Sequence, residues 1–155
     1  KLTKKPGIAL EPILDWMVTQ GTVKRDGLGY CLQENAIKLS PAQEKSKRML
    51  WDEIDQNPFS PPTYQECAGL LGKDLLQSLI DQRELVRVSE EIVFRKDEFD
   101  QMLDHVKMEL DAGNPITVSG LRDRFGNSRK YALPFLEYLD RIKITRRVGD
   151  ERVRF

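Results

Sequence analysis

The sequence has one histidine, His105, and two cysteines, Cys31 and Cys67, thirty-six residues apart. A structural zinc site needs about four nitrogen or sulfur ligands, commonly in short paired spacings, so a metal-knit fold is excluded. A disulfide between the two thiols stays open, but the expectation is two buried, reduced cysteines in a cytoplasmic protein. Long apolar runs are also missing: nothing approaches the roughly 20 apolar residues of a membrane-spanning helix, so no membrane partner is expected. The start, Lys1-Leu2-Thr3, has no initiator methionine and no apolar run of a secretory leader behind it. Together with a first repeat cut short, this reads as a piece of a longer protein. His105 lies in "DEFDQMLDHVKMELDAG" and is expected on the solvated side of a helix.

Net charge is absent as well, with 25 Lys and Arg against 25 Asp and Glu. The balance is uneven along the chain. Residues 119–155 carry ten cations and five acids, leaving that segment at +5 and the remainder at −5. A basic end on an acidic body is the footprint of a nucleic-acid reader attached to a spacer. Helix C-termini attract cations anyway, which accounts for Arg141 and Lys143 but not for the whole excess.

Three stretches share one template: "LDWMVTQGTVKR", "LQSLIDQRELVR" and "LEYLDRIKITR". Leucines 14, 76 and 136 each open an i, i+3 apolar pair that marks the core face of a helix. A polar turn and a short β-prone run ending in arginine follow each time. The spacings of 62 and 60 residues are domain-sized. Each unit then turns back as a hairpin, at Gly27 and Gly29, at Ser89-Glu90-Glu91, and at Gly149-Asp150. Ahead of the second unit, Ser40-Pro41 opens a helix through Trp51 and Ile54, and Pro62-Thr63 opens another toward Leu71. Ahead of the third, helices are expected from Asp97 to Leu110, ended by Gly113-Asn114-Pro115, and from Thr117 to Phe125, closed by Gly126.

Three helices and a hairpin in about sixty residues is the layout of a winged helix, a variant of the helix-turn-helix nucleic-acid reader. The fold class is therefore mostly α with small β-hairpins, as tandem winged-helix domains. Residues 1–37 form the end of one such domain, 38–97 a second, and 98–155 a third that carries the RNA-binding surface. Pro12 and Pro134 fall at equivalent places, two residues before the aligned leucine. For the last unit, Ser128 is the expected N-cap of a helix whose first turn bends at Pro134.

That helix entrance is unusual. Arg129 and Lys130 in a first turn oppose the helix dipole, whereas a docked anion would be drawn by them and by the free backbone N–H groups. A phosphate backbone fits. Arg146, Arg147 and Arg152 on the hairpin are expected to extend the patch, and Tyr131 either stacks on an unpaired base or packs into the core. Gly149 and Asp150 turn the hairpin. Asp150 caps that turn or orients Arg147 or Arg152, and Val148 and Val153 face the core by the period of two.

Residues 116–153, "ITVSGLRDRFGNSRKYALPFLEYLDRIKITRRVGDERV", closely resemble the last winged helix of the bacterial selenocysteine-specific elongation factor family. The resemblance rests on Arg122-Asp123, Phe125-Gly126, Ser128-Arg129-Lys130-Tyr131-Ala132, Leu136–Asp140, Thr145-Arg146-Arg147, Gly149-Asp150 and Arg152. Pro134 departs from the small residue the family pattern has there. Residues 40–98 look more loosely like the preceding winged helix, and residues 1–35 like the end of the one before. The resemblance implies binding to an mRNA stem-loop beside a UGA codon, with the ribosome reached through the full-length factor. It implies RNA-binding roles for Ser128, Arg129, Lys130, Tyr131, Arg146, Arg147, Gly149, Asp150 and Arg152.

No catalytic residues, metal site or cofactor are expected. "GLLGKD" at residues 69–74 has the wrong spacing for a phosphate-binding loop and no Ser or Thr after Lys73. The carboxylates are expected on helix surfaces beside Lys or Arg, and the acidic middle unit as a spacer or hinge. The alternative readings are a tandem winged-helix DNA-binding transcriptional regulator and a module docking an acidic protein. A regulator dimerises on repeated half-sites, and no heptad seam is present, so a monomer is expected.

Overall fold

The computed structural model describes residues 10–20, 23–26, 29–32 and 39–155. The chain divides into two compact units, with the division between residues 38 and 39. In the first, helix α1 (Leu10–Thr19) precedes an antiparallel pair, β1 (Val23–Asp26) and β2 (Gly29–Leu32), with Val23 opposite Leu32. Pro12 falls in the first turn of α1, where its missing N–H breaks no helical bond. The turn at Gly27 and the Cys31 side chain lie outside the described residues.

The second unit starts with α2 (Pro41–Gln56), whose entrance is a reciprocal cap. Gln43 N donates to the Ser40 hydroxyl at 3.3 Å, and Ser40 N donates to Gln43 Oε1 at 2.9 Å. Thr63 and Glu66 repeat the device at the start of α3 (Tyr64–Leu71). Helix α4 (Lys73–Asp81) follows, then the antiparallel strands β3 (Leu85–Arg87) and β4 (Val93–Arg95). Helix α5 (Lys96–Asp111) begins at the residue after β4, with no linker between them.

After α5 come β5 (Ile116–Thr117), α6 (Val118–Phe125), α7 (Arg129–Arg141), β6 (Thr145–Val148) and β7 (Glu151–Arg154). The Thr117 hydroxyl caps α6 by accepting from Gly120 N at 3.0 Å, and Gly126 closes it in the left-handed region. The last three strands form one sheet in the order β5-β7-β6. Strand β5 makes the wing three-stranded, a pairing that a two-residue strand does not announce in sequence. The sixty-residue repeat is visible in the backbone. Arg83 and Lys143, sixty positions apart, both adopt φ of 60° at a helix-to-strand turn. Glu84 N bonds Leu79 O and Ile144 N bonds Leu139 O, closing both helices with the same Schellman turn.

Two apolar cores fill residues 39–155. One gathers Leu50, Ile54, Leu76, Leu79, Leu85 and Val93. The other gathers Phe99, Met102, Val106, Leu121, Phe135 and Leu136, and it also takes in Val88, Ile92 and Phe94. The middle hairpin is therefore apolar on both sides: Val93 faces its own three helices, while Ile92 and Phe94 face the last three. Phe59, between α2 and α3, adds a ring contact with Phe125 at 4.7 Å, and Arg141 Nη2 donates to Val88 O at 3.1 Å.

Four expectations are corrected here. Val148 is exposed and Val153 half-buried, whereas Thr145 and Arg152 point inward, because the wing turns its other face to α7. His105 is half-buried rather than solvated: its ring stands edge-on to Phe125 at 5.5 Å, and Nδ1 is enclosed without a hydrogen-bond partner. Glu98 is a carboxylate inside rather than on a helix surface, held by Arg95, which also reaches Asp55 at 2.8 Å. The middle unit, expected as a spacer or hinge, is not a hinge, since its hairpin is part of the next core. Cys67 is free and buried, and its thiol donates to Pro62 O at 3.6 Å. Burial, reinforced by the charges of Glu53 and Glu66, pushes that thiol up to about 11.

Candidate nucleic-acid interface

Helix α7 starts from Ser128, which has extended backbone angles and whose carbonyl accepts from Tyr131 N and Ala132 N. Ser128 is thus at the cap position, but its hydroxyl makes no capping bond, contrary to the usual role of serine there. The first-turn donors are left to solvent or to a ligand. Arg129 and Lys130 beside them are exposed, and neither forms an ion pair among the described residues. No acid sits in this turn. The entrance is an open concentration of positive charge.

Tyr131 is half-buried. Its ring meets the edge of Phe94 at 6.5 Å, while Lys130 Nζ lies 5.5 Å from the ring centre. The two sequence readings of Tyr131 are thus partly reconciled: one side packs and the rest stays accessible. Phe94 belongs to the middle hairpin, so the preceding domain buttresses the entrance. The charge of Lys130 is also felt by Glu66 of α3, whose carboxyl is lowered mainly by the Thr63 hydroxyl and backbone and only lastly by that lysine. Sequence reasoning missed this support, because the residues concerned are 37 and 64 positions from Tyr131 and Lys130.

The wing presents Arg146 and Arg147, both exposed. Arg147 Nε donates to Gly149 O at 2.8 Å, and Asp150 Oδ1 lies 3.7 Å from Arg147 Nη2. Asp150 is fully exposed, and its carboxylate lies beside Arg147. Gly149, at φ +63°, supplies the left-handed residue that a two-residue hairpin loop requires. Arg152 departs from the expected patch. Only 2% of it is exposed, and its Nε donates to Asp140 Oδ2 at 3.4 Å. It stands beneath the wing, not on it. Arg122 and Arg124 of α6 are exposed cations in the same domain.

Among the described residues no group of His, Cys, Asp and Glu is arranged to hold a metal, and no helix is long and apolar enough to cross a membrane. The middle domain offers a cavity of about 930 Å³ along the start of α3, Lys73 and the hairpin. Its walls mix Lys73 and Arg87 with Glu90 and Glu91. Arg87 there is engaged, its guanidinium 4.0 Å from the Tyr64 ring centre and its nitrogens on Ser89 O and Glu90 O.

This geometry matches known proteins. A family model described as the winged helix of elongation factor SelB covers residues 109–154. The last winged helix is of the SelB type. A selenocysteine-specific elongation factor of Desulfomicrobium baculatum is 30% identical over 146 residues. The match takes in 90% of this chain and 23% of that protein. The mRNA-binding domain of elongation factor SelB from E. coli, solved in complex with SECIS RNA, superposes with a TM-score of 0.57 at 22% identity. That match covers 75% of this chain and 98% of the domain. A bacterial selenocysteine-specific elongation factor structure gives 0.59 at 19% identity, covering 96% of this chain and 24% of its own. At these identities the superpositions establish the fold. The SelB-type model spans the last three residues of α5 and continues from β5 through β7, which includes every residue of the candidate interface.

Proposed function

We propose that this chain is the mRNA stem-loop-binding region of a selenocysteine-specific translation elongation factor, and that it recruits the factor to UGA codons. The observation that carries the proposal is the uncapped, acid-free entrance of α7, with Arg129 and Lys130 exposed in its first turn. Arg146 and Arg147 stand on the neighbouring wing. An anionic backbone converts this electrostatic penalty into attraction. The SelB relatives, one of them solved with SECIS RNA, support an RNA over a DNA target.

The three winged-helix segments are 1–37, 38–97 and 98–155. Ser128, Arg129, Lys130, Tyr131, Arg146, Arg147, Gly149 and Asp150 form the contact, with Tyr131 beside an unpaired base. The deep major groove of A-form RNA keeps side chains out, so a loop or bulge is the target. The chain binds and does not catalyse. It acts as a monomer in the cytoplasm and reaches the ribosome through the remainder of the full-length factor. The test is a binding comparison of an RNA hairpin with DNA duplex of the same sequence. Tight binding to the hairpin alone supports the proposal; equal or stronger duplex DNA binding overturns it in favour of a DNA regulator.

A further inference from the structure

Among the described residues Arg152 is the largest side chain fully enclosed, and its burial is not explained by stability. Its Nε makes one long bond to Asp140 at 3.4 Å, and its Nη2 is enclosed without a partner. A buried cation satisfied so sparingly is at best neutral against an apolar side chain of equal volume. Its position is the telling feature. Arg152 is central in the three-stranded wing, directly opposite Arg147 of β6 and Ile116 of β5. Two arginines facing each other across a ladder repel, and the pair settles with its members in different places. Arg152 is drawn inward to Asp140, while Arg147 turns outward to Gly149 O. The other oxygen of Asp140 accepts the Thr145 hydroxyl at 2.6 Å. One carboxylate at the end of α7 thus grips both strands of the hairpin.

We propose that Asp140, Thr145 and Arg152 form a positioning triad that sets the wing against α7 and turns Arg147 outward for the RNA contact. The inference rests on the RNA-binding reading above, and it changes the role of Arg152 from phosphate ligand to support. Asp140 is the hinge-pin of the arrangement: without its charge, Arg152 has no reason to remain inside, and the two arginines compete for the same outlet.

A double-mutant cycle on the 155-residue chain, using an RNA hairpin as probe, tests this. Arg152→Met keeps the buried volume and removes the charge, and is expected to weaken binding about tenfold, within the range of a lost arginine contact. In that background Arg147→Ala should add less than about a twofold loss, whereas Arg129→Ala should retain its full effect, since it acts from another element. Fully additive losses at Arg147 and Arg152, or full affinity in Arg152→Met, overturn the triad. Should Arg152→Met fail to fold, Asp140→Asn makes the same cycle with shape preserved, and Arg152→Lys should recover part of the affinity. The free protein gives an independent readout. The Arg147 Nε–H resonance should shift in Asp140→Asn without any RNA, and an unmoved resonance sinks the proposal. If instead Arg129→Ala and Arg147→Ala each leave hairpin affinity unchanged, the RNA-binding reading fails, while the resonance still judges the triad.

Discussion

Arg129 is exposed and forms no ion pair among the described residues, Arg147 is exposed with only the solvent-exposed Asp150 carboxylate 3.7 Å away, and Arg87, at the equivalent place in the middle domain, is exposed too but engaged by Tyr64 and two carbonyls. Replacing Arg129 or Arg147 by alanine should weaken hairpin binding by about 1–3 kcal/mol. Arg87→Ala should change it little, because that guanidinium is committed to Tyr64 and two carbonyls. Titration of each variant decides it, and equal losses at Arg87 and Arg147 would move recognition to the middle domain. Cys67 makes a second residue-scale prediction. Its raised value of about 11 means the native state holds the proton after the unfolded chain has lost it. The stability it contributes is complete below pH 9.0 and drains away as pH climbs through about 11. Native protein at pH 8 should react with a thiol reagent far more slowly than unfolded protein, and equal rates would show the thiol to be accessible. At this scale the charges at 129, 130, 146 and 147 were legible from sequence. Arg152 was not: it sits in the same basic string, and only its cross-strand partner and Asp140 tell it apart.

Among the elements, helix ends were read well, since Ser40-Pro41, Thr63, Thr117 and Gly126 act through local chemistry within a turn. The wing was read half correctly. Its turn at Gly149-Asp150 is where the glycine placed it, but the inward face was assigned to the valines, and strand β5 went unseen. Which face of a short strand goes inside depends on the helix beneath it, and that is long-range information. Gly149→Val forces a branched residue to φ +63°, although its side chain would meet open space. The hairpin should distort locally and lose RNA affinity while far-ultraviolet circular dichroism keeps its helical signal; full affinity would remove the wing from the contact. Arg83 bears a milder form of the same strain, being left-handed without glycine's freedom. Arg83→Gly should stabilise the protein by about 1 kcal/mol in denaturant titration. A loss of stability would mean that side-chain packing at that turn outweighs the backbone.

For the whole molecule, zero net charge hides a +5 segment, and ionic strength exposes it. If some four to six phosphates are neutralised, log K should fall against log salt with a slope of about −3 to −5. A flat titration would replace electrostatic docking with stacking or a different partner. The arithmetic of charge was available from the sequence, as was the sixty-residue period. How the repeats join was not. Their sequence boundary lies at the end of a hairpin, and nothing in "IVFRKDEF" says that alternate residues of that hairpin serve different cores.

That shared hairpin bears on ancestry. A winged helix that supplies Ile92, Val88 and Phe94 to its successor cannot be inherited without it. Crossing-over at residues 95 and 96 would leave one descendant with a bared apolar sheet and the other with an unroofed Phe135. Duplication could therefore have produced the repeats as separate copies, but once Phe94 settled against Tyr131 and Phe135, the last two became a single heritable piece. Substitutions at the basic entrance of α7 are answerable to a neighbouring hairpin that carries none of the charges of that entrance.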